Sequence, residues 1–429
     1  MSNKLRFLFF LIFGLVMTAI ISRNGTVMLI TLPFLAYILV GYWQIPVLPQ
    51  LGATRVIDKA NSITGQPLIM EITLQNPADA EVSLVVLDKL HPEVKILDGQ
   101  FCQSACLSGG EKLILRYTFC ADRGLYHWQT LTVMLHDPFY LFESMQDIPA
   151  QASVLVQPEI VRLKHIPLRP ANTLHSTGSF PAQVAGSGID FWGVREYQSG
   201  DSMRRLNWRK TARCPQKLFT KEFEQEETID IGLILDTRMP AEFHTGQNSL
   251  FEYAVNAVAS LAELFLREGN RVGLLVFGQE MNYLLPGYGK RQLHQVMRSL
   301  SAARPGANIA LSNITYLRHK LFPGRSQLYM VSANLGDDGR AYRDLRAAGH
   351  PLVLISPDPV AYFAGLPDEK TMHPQAIRAA RLERILQLQQ LVHYGIRVIN
   401  WPVTHSLNEV IHNAYKQFDA GSARNGIPQ

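Results

Sequence analysis

The sequence predicts a multi-domain chain: two N-terminal transmembrane helices, an antiparallel β-sandwich, then a doubly wound α/β domain. Three observations carry this. Two apolar runs near the N-terminus are separated by a short polar turn. Between Gly52 and about Leu163, short alternating segments follow one another at hairpin spacing. From Ile229 onward, continuous apolar strands alternate with amphipathic helices. A length of 429 residues suits two or three domains. The segmentation that follows is 1–45 (membrane hairpin), 46–165 (β-sandwich), 166–187 (linker), 188–228 (arginine-rich segment) and 229–429 (α/β domain).

The first apolar run, Leu5 to Ile21, carries only Arg6 and Thr18 as polar residues, and the second, Thr26 to Trp43, contains Pro33. Each holds roughly 17 residues, about 26 Å as helix, enough to span. A cleaved signal peptide is the rival reading of the first run. The second apolar run and the lack of a small-residue cleavage pattern favour a hairpin. Tyr42 and Trp43 stand where interfacial aromatics belong. Lys4 and Arg6 favour a cytoplasmic N-terminus, so two crossings return the soluble part to the cytoplasm, opposed only by Arg23 in the turn.

Hydrophobic residues make up 47% of the chain and charged residues 18%, enough for large cores plus a membrane segment. The formal charge of +5 is too small to imply nucleic acid. Cys102, Cys106, Cys120 and Cys214 are too few for a disulfide framework and are expected as buried free thiols, in keeping with a reducing compartment. His91, His127 and His136 stand apart from one another and suggest no site.

In the β-region, Leu68 to Leu74, Val82 to Leu87, Leu113 to Phe119, Leu131 to Leu135 and Val154 to Val156 read as strands, with Asn76-Pro77 and Ser108-Gly109-Gly110 as turns. The following stretch, Pro167 to Ser187, is rich in Pro, Ser, Thr, Gly and Ala and reads as an exposed loop. Gly200-Asp201 then breaks the chain, with Asp201 placed to cap a helix from Ser202 to Lys210 that turns Leu206 and Trp208 inward. Leu218 to Gln225 alternates as a strand. Arg195, Arg204, Arg205, Arg209 and Arg213 crowd this segment. Arginine captures carboxylate and phosphate bidentately. Two readings stay open: an internal ion-pair network, or a docking face for an acidic partner that also uses Tyr197, Asp201 and Trp208. An anionic lipid or nucleic-acid surface is a weaker alternative, opposed by Glu222, Glu224, Glu226 and Glu227.

Arg195, Glu196, Tyr197, Gly200, Asp201, Arg204, Leu206, Trp208, Arg209, Thr211, Ala212, Arg213, Glu222 and Phe223 stand at the spacing R-E-Y-x-x-G-D-x-x-R-x-(hydrophobic)-x-W-(R/K)-x-(S/T)-A-R, then E-F on a strand. This resembles the signature of the domain-of-unknown-function 58 family, with Asn207 where an aspartate is common. Arg123-Gly124-Leu125-Tyr126 and Asp137-Pro138-Phe139-Tyr140-Leu141-Phe142 resemble two further elements of that family, Tyr140 replacing a glycine. From the residues alone, the aromatics of the second element read as packing after a turn. The resemblance implies a bacterial inner-membrane protein that works with a MoxR-type AAA+ ATPase as adaptor or partner.

Downstream, Ile229 to Leu235 ends in Asp236 as a central parallel strand would. Leu250 to Glu268 is a helix with Ala254, Val255, Val258, Leu261, Ala262 and Phe265 on one face. The region resembles a von Willebrand factor A domain, whose metal motif D-x-S-x-S would fall on Asp236 to Pro240. Arg238 and Pro240 replace the two serines. Ala307 and Ala333 stand around the other expected ligand positions. Magnesium wants near-octahedral oxygen ligands, so the expectation is a degenerate site with no metal, Arg238 taking the cation's place against Asp236. Thr237, Ser332, Asn334, Asp337 and Asp338 are the oxygens left to improvise one. No G-x-S-x-G, P-loop, H-E-x-x-H or dinucleotide-binding turn occurs. The expectation is a cofactor-free, non-catalytic interaction module. A structural scaffold for envelope assembly is the main alternative, and an unrecognised hydrolase the remoter one.

Overall fold

The computed structural model describes residues 3–43, 51–78, 81–136, 139, 141–167, 174–214, 216–238, 249–278, 281–306, 321–322, 326–333, 338–364 and 374–424. The chain divides into two compact units, 1–157 and 158–429.

The first unit opens with helix Asn3–Ser22. It stops at Arg23, which takes a left-handed φ of 48°. Asn24 then starts the next helix: its side chain accepts from the Thr26 amide at 3.1 Å and the Thr26 hydroxyl at 2.7 Å. The second apolar run is not one uniform helix but two, Gly25–Leu29 and Thr31–Trp43. Pro33 has no amide hydrogen to offer the Leu29 carbonyl, which explains a break at this point. Lys4–Ser22 and Gly25–Trp43 are each 19 residues, long and apolar enough by length and composition to cross a membrane. Phe10 is 77% exposed and Ile21 82%, so apolar side chains face outward along the helix.

Two sheets follow. One has the order Gly52–Ile57, Leu68–Gln75, Lys112–Ala121, Val94–Gly99, all antiparallel. The other runs Asn61–Ile63, Glu143–Gln157, Gly124–His136, Val82–Leu87, Cys102–Leu107, antiparallel except for its first pair. The period-two alternation is realised directly. Leu68, Met70, Ile72 and Leu74 are fully buried from one sheet, Val86, Leu131, Val133 and Leu135 from the other, in a single core.

Beside that core lies a buried ion pair. Arg55 donates to Asp88, to the Ala150 carbonyl at 2.7 Å and to the Thr130 carbonyl at 3.3 Å. The Tyr117 hydroxyl donates to the second Asp88 oxygen at 2.7 Å. Burial pushes the Asp88 carboxyl above its ordinary range and Arg55 below its own, with their mutual attraction only partly offsetting this. Three cysteines differ from expectation: Cys102, Cys106 and Cys214 are exposed, and Cys120 alone is buried. Cys102 and Cys106 lie on an edge strand whose alternation turns both outward.

The second unit is built on a six-stranded sheet with the order Asn282–Gly287, Arg271–Phe277, Asp230–Asp236, Gln327–Val331, Leu352–Pro357, Arg397–Trp401. All neighbours are parallel except the first pair. The order therefore runs outward in both directions from Asp230–Asp236. Ile231, Leu233 and Leu235 pack into one core and Ile234 into another, so both faces are covered. Helix Leu250–Arg267 buries all six apolar residues expected of it and further ones around its circumference. Ser249 caps it, accepting from the Glu252 amide at 3.2 Å. Residues 158–166 belong to this unit: the amides of Glu159 and Val161 donate to Asn256 and Ser260 of that helix, and Leu163 and Ile166 enter its core.

The composition-based loop over Pro167 to Ser187 gives way to strand from Leu174. Leu174–Glu196 pairs antiparallel with Phe219–Thr228, interrupted by register shifts. Backbone pairing across the ribbon overrides the local preference of Gly, Ser and Pro for turns. Residues 168–173 lie outside the described set.

Replacing Arg55 with Met should lower the stability of the first unit by about 3–5 kcal/mol, because Asp88 is then buried without its cation. Calorimetry on the full chain in detergent should show the β-unit transition moving down. An unchanged transition would mean that Asp88 is already neutral in the fold.

Candidate functional site

Two clusters concentrate charge in the second unit. The first stands at the carboxyl end of the central strand, at the point where the strand order reverses. Open α/β sheets bind their ligands at such places. Asp236 ends the strand, and Arg238 folds back onto it: Nε donates to Oδ1 at 2.9 Å and Nη2 to Oδ2 at 2.9 Å, while the Arg238 amide also donates to Oδ1 at 3.0 Å. The far side of the same guanidinium meets Asp338, with Nη1 donating at 3.3 Å and Nη2 to the other oxygen. The Ser332 hydroxyl donates to Asp236 Oδ2 at 2.7 Å, and the Phe277 ring lies 5.0 Å from the guanidinium carbon. All three charged side chains are at most 17% exposed. Burial works against the Arg238 charge, but the hydrogen bonds and charges of the two aspartates outweigh it and raise its pKa above the usual arginine value. Burial, then the same two carboxylates, pushes the Tyr342 phenol up.

The backbone beneath is tight. Thr237 turns away from the cluster, its hydroxyl donating to the Phe277 carbonyl at 3.1 Å. Gly278 follows with φ of 152°, and a Cβ there would lie 2.1 Å from the Thr237 hydroxyl, so only glycine fits. Of the other expected positions, Ala333 is buried two residues past the end of strand Gln327–Val331. Pro240, Ala307, Asn334 and Asp337 lie outside the described residues.

The network continues along the strand ends. Ser356 donates to the Ser332 carbonyl at 2.7 Å. Arg384, from helix Pro374–His393, donates to the carbonyls of Ala333, Ser356 and Pro357 and to Asn400 Oδ1, and pairs with Asp358 at 3.3 Å. Burial lowers the Arg384 pKa, opposed by Asp358. Sequence reasoning passed over Asp358, Arg384 and Asn400. Two signals were there: Asp358 before Pro359 is a helix-start pattern, and Arg384 is in line with Leu388 and Leu391 on the helix's buried face.

The second cluster is the arginine-rich segment, and its expected helix is not formed. Gly200, at φ of 111°, makes the turn. Asp201 does not cap a helix. It accepts from the Gln198 amide at 2.9 Å and takes both ends of the Arg195 guanidinium at 2.7 Å each. Arg195 Nε reaches Glu222 at 2.9 Å. The Arg195 bond, then the Gln198 amide, holds the Asp201 carboxyl below the usual range. A single 3-10 turn, Met203–Arg205, follows. Leu206 is buried as expected and bridges Thr220. That bridge ends any continuous helix. Asn207 caps a one-turn helix, Trp208–Thr211, by accepting from the Lys210 amide at 3.2 Å, the work expected of Asp201. Trp208 is not turned inward: it is 64% exposed. Tyr197 joins through its backbone, its amide donating to the Leu218 carbonyl at 2.8 Å. Lys217 pairs with Glu196 on the surface, a contact worth little. Arg204, Arg209 and Arg213 are exposed, and among the described residues they make no ion pair or side-chain hydrogen bond. Arg205 is exposed and has a partner. A polar cleft of about 340 Å³, lined by Arg195, Asp201, Ser202, Arg205, Lys221 and Glu222, runs beside the turn.

Residues 193–356 match the family model "Protein of unknown function DUF58". The DUF58 match thus takes in both clusters from Arg195 to Ser356 and stops before Asp358. Among relatives, the uncharacterized protein YeaD of Bacillus subtilis is 26% identical over 299 residues, 68% of this chain and 71% of its own length. The uncharacterized protein Rv1480 of Mycobacterium tuberculosis is 27% identical over 119 residues, so the chain covers only 37% of that relative. A FixG-related protein from Vibrio parahaemolyticus is 14% identical with a TM-score of 0.18, covering 25% of this chain and 98% of its own. The major pilin subunit of Bacillus cereus is 8% identical with a TM-score of 0.20, covering 25% of this chain and 41% of its own. Scores that low carry no structural argument.

Two outcomes are expected of these clusters. Because the Asp201 pKa is depressed in the fold, its contribution is complete above the usual aspartate value near 4 and fades as pH falls through the lower folded value. The melting difference between wild type and Asp201→Asn should shrink from pH 7 to pH 3; a constant difference would count against the Arg195 clamp. Arg238→Ala should cost about 3–5 kcal/mol at pH 7 by calorimetry, because two buried carboxylates are left without their cation. Magnesium titration of the wild type by calorimetry should show no micromolar binding. Micromolar binding abolished by Asp236→Ala would overturn the assignment of that place to Arg238.

Proposed function

We propose that this chain is a membrane-anchored, non-catalytic protein-interaction module that docks an acidic surface of a partner through the exposed part of its arginine segment. The observation that carries this is Trp208, 64% exposed in a segment where Arg204, Arg209 and Arg213 also point outward without partners among the described residues. Tryptophan and arginine dominate the energetic centres of protein interfaces. An exposed tryptophan costs solvation that a monomer has no reason to bear, whereas an interface recovers it. Arg195, by contrast, is consumed internally by Asp201 and Glu222 and serves to hold the turn that presents the others.

On this reading the first unit's two sheets form a β-sandwich and the second unit is a von Willebrand factor A-like domain whose cation is replaced by the Arg238 guanidinium. Supporting that replacement, every Asp236 oxygen is already engaged by Arg238 or Ser332. The two apolar helices anchor the chain as a hairpin in the bacterial inner membrane, leaving both units in the cytoplasm. The DUF58 resemblance names the partner class: a MoxR-type AAA+ ATPase, for which this chain acts as adaptor. A structural scaffold is the competing reading, favoured by how fully Arg195 and Arg238 are satisfied.

The test is capture of a MoxR-type ATPase, with and without ATP, by detergent-solubilised wild type and by an Arg204/Arg209/Arg213 triple alanine. Because these side chains are exposed, the variant should melt with the wild type while losing capture at least tenfold, and Trp208→Ala should lose a similar amount. Equal capture by wild type and variant would move the contact elsewhere. No capture by either would favour the scaffold.

A further inference from the structure

The element Asp137 to Phe142 was expected to be a turn followed by packing aromatics. Its described residues pack against an unexpected partner. The Phe139 ring lies 4.9 Å from the Tyr37 ring, and the Phe142 ring 5.9 Å from the Tyr42 ring, the latter edge-on. Both tyrosines belong to helix Thr31–Trp43, the second half of an apolar span. All four residues lie in the first compact unit. The connection between strands Gly124–His136 and Glu143–Gln157 is therefore fastened along the end of this helix at two points.

The geometry sets a depth. Tyr37 precedes Trp43, the helix's last residue, by six positions, about 9 Å along the axis. Trp43 is 84% exposed and Tyr42 61%, both amphipathic rings suited to the headgroup level. If Trp43 marks the headgroup boundary, a ring stacked on Tyr37 lies on its acyl side. Phe139 remains partly exposed after stacking on Tyr37, as does Phe142 on Tyr42. Phenylalanine has no polar tip, so this exposed edge is better solvated by lipid than by water. Leu141, between them in sequence, is fully buried.

We propose that Phe139 and Phe142 form an aromatic foot by which the β-unit stands in the interfacial zone of the bilayer. The partner is lipid, at the headgroup–acyl boundary. The proposal rests on the membrane anchoring put forward above and deepens it: the anchor does not trail a free domain but grips it through two ring pairs.

Depth-dependent quenching in the full chain tests this. In nanodiscs of phosphatidylcholine and phosphatidylglycerol, with the native cysteines replaced, single cysteines carry a bimane label at Phe139→Cys, at Phe13→Cys within the first span, or at Leu125→Cys. Leu125 lies near the opposite end of strand Gly124–His136, about 36 Å away by strand rise. Lipids bearing a nitroxide deep in the acyl chain should quench the label at 13 at least twofold, lipids bearing a shallow nitroxide should quench the label at 139 at least twofold, and both should leave 125 unchanged. Quenching at 13 without quenching at 139 overturns the foot and leaves the anchor standing. Quenching at neither overturns the anchor and the foot with it. Should Phe139→Cys fail to fold by circular dichroism, the label moves to exposed Glu143, the first residue of the next strand. There a headgroup nitroxide should quench it, and absence of quenching is again fatal to the foot.

Discussion

The second unit depends on one guanidinium. Arg238 sits between Asp236 and Asp338 where the order of the sheet reverses, and both carboxylates bond to it. Two aspartates that close, largely out of water, would repel each other severely without a cation. A divalent metal is one solution and a tethered guanidinium is another. The tethered cation cannot dissociate, and its planar fork serves two carboxylates at once. It therefore acts as a permanent fastening between the end of the central strand and the start of helix Gly339–Ala347, where a metal would be an exchangeable one.

The fastening does not end there. Ser332 joins Asp236 to the neighbouring strand, Ser356 joins that strand to the next, and Arg384 closes the series on Asp358 and Asn400. Four parallel strands are thus laced at their carboxyl ends by side chains, where unsatisfied carbonyls would otherwise face a crevice. Arg384 alone spends its donors on three backbone carbonyls. Among the described residues, the side chains at these strand ends are engaged with one another and with the strand-end carbonyls.

Legibility followed the range of the forces involved. The strands of both units and helix Leu250–Arg267 were readable because burial imposes period two or 3.6 on every residue of a long element. The Arg238–Asp236 pair was readable because its partners are two residues apart. Asp338, Asp358 and Arg384 come together only through the sheet order, across a hundred residues or more from Asp236, and no local pattern encodes that. The arginine segment misled for a different reason. Asp201 has the chemistry of a helix cap, yet a bidentate arginine six residues away outbids a single amide, and the cap passes to Asn207. Trp208 was assigned inward by hydrophobicity alone, which cannot distinguish a core residue from an exposed one.

These two departures share a cause. A continuous helix from Ser202 would spread the arginines around its circumference. The bridge between Leu206 and Thr220, with the Arg195–Asp201 clamp behind it, instead breaks the segment into two single turns and anchors each to the strand Phe219–Thr228. Each turn is too short to persist alone, so its shape is set by the ribbon beneath. Local helical preference is given up, and what is gained is a fixed, outward presentation of Trp208 with Arg204, Arg209 and Arg213.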